Sequence, residues 1–347
     1  MRTHFNLVGI DIAKNSFAVC ITDKEGNILQ RKTLSRKKVL PYLRQMPKAR
    51  IGLEACGGAH YWAREIKQQG HEVFIIPPRY VKKFVVGNKN DSIDAHAITR
   101  VLREPKIPHI PIGSCAKQDL QALHRRRASF LKGRTALVNQ IRGFLLEYGL
   151  SIPKGVSQVR KRLKEILSQK PESLSLDFME ILEEQYVDLL RKDQQIEIYF
   201  KKIEKQVQED PSIVRVLEIP GVGILSAAAL SIKLDSRDFY QNGRHFSASL
   251  GLVPHHEGTG GVTKMKGMSK RGDRYLRTLL IHGARSVISR SHARQDTLGL
   301  WVRKLVRRRG VHKAYVALAN KNARIAWKVI CKQENYRMNQ AFGTSCK

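Results

Sequence analysis

Apolar residues fall in short, strand-length runs over the first third of the chain. Leu7-Val8-Gly9-Ile10 and Phe17-Ala18-Val19-Cys20-Ile21 are two such runs, and the spacing predicts strands over 6–11, 16–22 and 28–33. Asp23-Lys24-Glu25-Gly26-Asn27 has the polar and glycine composition of a turn between the last two. Helical spacing follows over 36–45. A fourth strand is predicted over 49–55, broken by Gly57-Gly58, and then a helix over 61–69 that Gly70 closes as its C′ residue. A fifth strand over 72–76 stops at Pro77-Pro78, and a helix over 91–103 comes next. Three strands followed by alternating helix and strand predict an α/β domain with a mixed sheet.

From Lys117 to Tyr148 the period changes. Leu120, Leu123, Phe130, Leu137, Ile141, Phe144 and Tyr148 recur at helical intervals, which predicts one long amphipathic helix. Residues 151–155 break it. A second long pattern over 178–207 places Leu182, Tyr186, Leu189, Ile196, Ile203 and Val207 on a seam, with Asp193 as a polar interruption. Two long helices between globular ends fit a protruding coiled coil that self-associates, or an ordinary helical subdomain. The expected layout is an α/β domain over 1–112, a helical middle over 113–210, a mostly helical domain over 211–333 and a loose tail over 334–347.

Charge changes the picture most. Among 347 residues, 63 Lys and Arg face 30 Asp and Glu, a formal net charge of +33. That imbalance predicts a polyanionic partner, DNA or RNA, bound through phosphate contacts. From Pro211 to the end, 25 Lys and Arg stand against 7 Asp and Glu, so over half the excess lies there. No apolar run reaches the ~18 residues of a membrane helix, and Met1 to Asn6 leads straight into a strand, so neither membrane nor signal peptide is expected. Five scattered cysteines lack metal-site spacing, which points to a reducing, cytoplasmic setting; Cys20 and Cys56 read as core residues.

Against this charge, acidic residues at strand ends are conspicuous. Asp11 and Glu54 each end an apolar run, and Asp91 and Asp94 share one face of a predicted helix. Oxygen ligands of this kind suit Mg2+, and two such ions can serve phosphoryl transfer. Singly, Asp91 also reads as a helix cap and Glu54 as a surface strand end. Ile219-Pro220-Gly221-Val222-Gly223 before Ala227-Ala228-Ala229-Leu230 is a helix–hairpin–helix-like pattern, in which Gly221 and Gly223 would let backbone N–H groups approach phosphate; a plain packing turn is the other reading.

The glycine-rich stretch His255-His256-Glu257-Gly258-Thr259-Gly260-Gly261 reads as a flexible loop. It sits among Lys264, Lys266, Lys270, Arg271, Arg274 and Arg277. A hydroxyl held there, from Thr259, Ser269 or Thr263, would lie among charges suited to a scissile phosphate. Two basic helices past Arg294 carry Arg303-Lys304, Arg307-Arg308-Arg309 and then Lys313, Lys321, Arg324 and Lys328, and predict a backbone-binding surface.

The element order of the first domain matches the ribonuclease-H-like fold, and the residues resemble a known family. Gly9-Ile10-Asp11-Ile12-Ala13-Lys14, Leu53-Glu54-Ala55 and Lys89-Asn90-Asp91-Ser92-Ile93-Asp94-Ala95 are similar to the amino-terminal domain of the IS110 family of insertion-sequence transposases. The Pro-Gly-Val-Gly turn at 220–223, Gly251-Leu252-Val253-Pro254, and Ser269-Lys270-Arg271-Gly272-Asp273 with Leu276-Arg277 resemble its carboxy-terminal domain. The resemblance implies a RuvC-like domain whose DEDD tetrad is Asp11, Glu54, Asp91 and Asp94. It also implies a coiled-coil middle that assembles dimers and tetramers, and a second domain that supplies a hydroxyl nucleophile. A structured RNA from the same element would choose the DNA. Where the family has a serine before glycine, this chain has Thr259 before Gly260, with Ser269 as the alternative hydroxyl. The expected function is a prokaryotic DNA transposase, working in the cytoplasm at the nucleoid. A metal-dependent junction-resolving nuclease and a non-catalytic nucleic-acid-binding protein are the alternatives.

Overall fold

The computed structural model describes residues 6–87, 90–260 and 262–343, the side chains of Thr259 and Thr263 excepted. The chain divides into two compact units, 1–114 and 115–347.

The first unit holds a five-stranded mixed sheet. β1 (Leu7–Ile12), β2 (Ser16–Thr22) and β3 (Ile28–Ser35) form an antiparallel meander. After α1 (Val39–Arg44), β4 (Arg50–Glu54) lies parallel to β1. After α2 (Ala59–Gln68), β5 (Glu72–Ile76) lies parallel to β4, giving the order β3-β2-β1-β4-β5. The short α3 (Pro78–Val81) leads to α4 (Asp91–Leu102). Period-two alternation explains the layers. Val8 and Ile10, with Phe17, Val19, Ile51 and Leu53, are buried in one core with Val39 and Leu43 of α1 and Trp62 and Ile66 of α2. The opposite face meets α4, where Ala18 and Cys20 pack with Ala95.

Two glycines set how closely α4 approaches. A Cβ on Gly9 would overlap the Ala95 carbonyl oxygen, and one on Gly52 would lie 2.6 Å from a methyl of Ile98. The strands therefore present bare backbone where α4 crosses.

In the second unit, α5 (Cys115–Glu147), α6 (Val156–Gln169) and α7 (Leu176–Gln208) come first. Phe130 lies 5.7 Å from Tyr199 and Tyr148 lies 4.3 Å from Phe178 between ring centroids, so α5 and α7 run antiparallel as a hairpin. Leu182, Leu189, Ile196 and Ile203, seven residues apart, are all buried. Asp193 interrupts that seam because it is paired: Arg134 of α5 lies 2.7 Å away and Arg160 of α6 lies 3.4 Å away. The helix α6 was not legible in the sequence; only Val159, Leu163 and Ile166 of its 14 residues are buried.

The remainder comprises α8 (Pro211–Val214), α9 (Ile224–Lys233), α10 (Gly243–Ser249), a hairpin of β6 (Pro254–Thr259) and β7 (Val262–Met268), α11 (Arg274–Ser289), α12 (Thr297–Arg309), α13 (Val311–Cys331) and α14 (Met338–Phe342). One core gathers these helices around Phe246, Leu280 and Leu318. The stretch after Gln333 is packed rather than loose as far as α14: Phe342 is buried, its ring 5.4 Å from that of Trp301. Residues 344–347 lie outside the described residues. Among the described residues, no helix is long and apolar enough to cross a membrane.

Candidate active site

Parallel pairing of β1 and β4 brings two acids to one end of the sheet. Ile10 pairs with Leu53, so Asp11 and Glu54 follow one step later, on the face that Gly9 and Gly52 present to α4. Asn90 caps α4 by accepting from the Ser92 N–H at 2.9 Å. Asp91 is thus not the cap, and Asp91 and Asp94 occupy the first turn, at the positive end of the helix dipole. Carboxylate oxygens of Asp11, Asp91 and Asp94 lie within 4.8 Å of one another. Glu54 is not one of that trio. Three converging carboxylates repel one another, and their all-oxygen donor set fits a hard divalent cation.

Cys56 belongs to this neighbourhood rather than to the core. It is exposed, and its thiol faces the Ile12 carbonyl oxygen at 3.9 Å. Partial desolvation, and then the charges of Asp11 and Glu54, hold the thiol above the ordinary cysteine range, so it stays protonated. Its position two residues past Glu54 was the available signal.

The glycine-rich segment is an ordered hairpin, not a loop. Thr259 pairs with Val262 across the turn, with Gly260 at φ +57°; the Thr259 side chain and Gly261 lie outside the described residues. Lys264 and Lys266 are exposed on β7, and both Lys266 and His255 contact Glu257. Lys270, Arg271 and Arg274 are exposed beyond it. Ser269 is half-buried, with its N–H donating to the Val253 carbonyl at 2.8 Å. The hairpin stands on a clasp made by two motifs. Gly251, at φ +71°, faces the Arg271 backbone, and Gly272, at φ +126°, faces the Ser249 carbonyl so closely that a Cβ would overlap it.

Two expected phosphate contacts are corrected by this packing. Arg277 is buried and donates to the Leu250 carbonyl at 2.9 Å, tying α11 to the clasp. Gly221, at φ +87°, lies against Gly283 of α11, where a Cβ would come within 2.8 Å of a carbonyl oxygen; its glycine serves close packing. Asn322 fixes the same turn by donating to the Pro220 carbonyl at 2.8 Å. Gly223, by contrast, is exposed before α9. Arg307, Arg308 and Arg309 are exposed in the last turn of α12, where cations suit the dipole.

With this geometry in view, the comparisons with known proteins agree along the chain. Residues 8–150 match a family model described as a transposase, the DEDD domain of IS110 type. Residues 214–298 match a second, described as transposase of the IS116/IS110/IS902 family. A probable family 20 transposase of Pseudomonas aeruginosa is 38% identical over 331 residues, covering 95% of this chain and 98% of the relative. The transposase for insertion sequence element IS1111A of Coxiella burnetii is 36% identical, covering 95% of this chain and 91% of its own length. The transposase for insertion sequence element IS1328 of Yersinia enterocolitica is 37% identical, covering 93% and 96%. The chain belongs to the IS110/IS116/IS902 family of insertion-sequence transposases, enzymes that recombine DNA.

Proposed function

We propose that the first unit is a RuvC-like nuclease domain whose Asp11, Glu54, Asp91 and Asp94 hold Mg2+, as a two-ion site, and that the Thr259 hydroxyl is the nucleophile. The convergence of Asp11, Asp91 and Asp94 within 4.8 Å carries this reading. A bound divalent cation supplies positive charge to the phosphate oxygens. Asp11 and Glu54 fix one side of that site from the sheet, and α4 brings Asp91 and Asp94 to it.

In the strand-cutting step, Thr259 Oγ forms a bond to phosphorus and the bond from phosphorus to a sugar oxygen breaks. The threonine proton passes to the leaving sugar oxygen. The DNA stays joined to the protein as a phosphodiester, and attack by another strand's hydroxyl reverses the step and completes exchange. Exposed Lys264, Lys266, Lys270, Arg271 and Arg274 support charge on that phosphate. Gly223 and Arg307, Arg308 and Arg309 would grip the backbone more widely.

Thr259→Ala is expected to abolish the covalent protein–DNA adduct seen on denaturing gels with an insertion-sequence-end substrate, and Thr259→Ser to retain it. An adduct that persists in Thr259→Ala and vanishes in Ser269→Ala would move the nucleophile to Ser269. Cleavage with free ends and no adduct in the wild type would leave the chemistry to the metal alone, as in a junction-resolving nuclease.

The resemblance extends the proposal to a guide RNA from the same element and to dimers and tetramers built through the α5–α7 region. Leu176, Val187 and Leu190, which are 84%, 62% and 43% exposed on α7, support self-association. The net charge of +33 supports binding both nucleic acids. Protein purified from cells that carry the element is expected to retain one discrete RNA and to scatter light as a dimer or larger. Heterogeneous RNA alone, or a monomer at micromolar concentration, contradicts the respective part.

A further inference from the structure

A cavity of about 570 Å³ opens in the second unit between α10, α13 and the segment entering α14. None of its lining residues belongs to the carboxylate cluster or the hairpin. Five cations line it, Arg244, Lys321, Arg324, Lys328 and Arg337, against the single carboxylate of Glu334. Glu334 is engaged by Lys328 at 3.3 Å. The other four cations have no ion-pair partner among the described residues.

The walls are built, not incidental. Lys321, Arg324 and Lys328 follow at intervals of three and four along α13, which places them on one face. Gly243 lets the start of α10 press on that helix, since a Cβ there would meet the Arg324 carbonyl oxygen at 2.9 Å. The ammonium of Lys321 is held 4.7 Å from the ring centres of both Trp301 and Phe342, a cation kept in place by aromatic faces rather than by an acid. Burial, and then the charge of Arg324, push the Lys321 pKa down, which an anion in the cavity would reverse. Trp327 and Tyr336 also line it, so aromatic rings stand among the cations. Uncompensated cations and aromatic rings around one space suit an anionic ligand that carries flat bases.

We propose that this cavity binds the sugar–phosphate backbone of an unpaired nucleic-acid strand, with phosphates on Arg244, Arg324 and Arg337 and a base beside Tyr336. A volume of this size admits a nucleotide or two. A duplex presents its phosphates on a convex cylinder and does not enter it, whereas an unpaired strand can turn its backbone and bases inward. DNA and RNA strands share this chemistry. The proposal rests on the reading of the chain as a nucleic-acid enzyme, but on none of its catalytic residues.

The test uses the full chain and two labelled probes, oligothymidylate DNA and oligouridylate RNA, followed by fluorescence anisotropy between about 50 and 200 mM salt. The Arg244→Gln/Arg324→Gln double variant is expected to bind about ten-fold more weakly. Its salt slope should fall by about 1.4, about 0.7 for each single-strand phosphate contact removed. The probe whose binding weakens identifies the occupant. Arg337→Gln, on the segment outside α13, serves if the double variant does not fold. Probes carrying 4-thio bases should crosslink under ultraviolet light to the peptide containing Tyr336. Folded variants that bind both probes within two-fold of wild type, or crosslinks confined to the hairpin, overturn the proposal. The Thr259 adduct assay is read separately, so either idea can fail alone.

Discussion

Asp11→Asn is expected to lower strand cleavage about 10³-fold while the protein stays folded. Asparagine keeps the size of the side chain and its place at the end of β1, and removes only a charge. If the trio holds a cation that lowers the barrier by ~4 kcal/mol, losing it costs a factor of ten for each ~1.4 kcal/mol. A second readout does not depend on activity. In chelator, the wild type carries three mutually repelling carboxylates within 4.8 Å, and the variant carries two. Millimolar Mg2+ or Mn2+ should raise the melting temperature of the wild type and not that of the variant, because binding to the native state alone stabilises it. Glu54→Gln, outside the trio, should keep part of that metal-induced rise. Wild-type cleavage by Asp11→Asn, or an undiminished metal-induced rise, would remove the metal role.

The carboxylates were legible because an acid ending an apolar run contradicts its surroundings, and in a chain of +33 such contradictions are few. The five strands and their succession along the chain were legible for a related reason: short runs bounded by glycine and proline leave little choice of length. Charge itself was less informative, since it does not say where a side chain goes. Arg277 looked like one more phosphate contact. Yet it lies three and seven residues before the buried Leu280 and Ala284, on the inward stripe of α11, and that spacing marks it as internal. Gly221 suggests an opening toward phosphate, and Gly251 and Gly272 stand in the sequence only as motif residues. Their positive φ values and their backbone neighbours show that they close gaps within the protein. Such contacts join residues far apart in sequence, so no local pattern reports them. The hairpin of β6 and β7 was hidden because its exposed strands carry no apolar alternation.

Gly9→Ala is expected to lower both stability and metal-dependent cleavage, although the residue carries no chemistry. The new methyl would overlap the carbonyl oxygen of Ala95 and approach the amide and the methyl of Thr99 at 3.0 Å, so its nearest obstacle is the backbone of α4, which cannot turn aside. Either α4 retreats or β1 bends, and overpacking of this kind costs roughly 3 kcal/mol. Retreat of α4 carries Asp91 and Asp94 away from Asp11, because both sit in its first turn. A displacement of ~1 Å in a reacting constellation costs on the order of 10²-fold in rate. Gly57→Ala is the matched control, a methyl added near the same end of the sheet with nothing within 4 Å of it, and should leave cleavage and melting unchanged. The metal-induced rise in melting temperature separates the two effects. A Gly9→Ala protein that is merely less stable would keep the wild-type rise, whereas one whose carboxylates have parted would lose most of it. A wild-type melting temperature and rise in Gly9→Ala would mean that α4 does not depend on this contact for its place. The position of Asp91 and Asp94 would then come from the Asn90 cap and the packing of Ala95, Ala97, Ile98 and Val101.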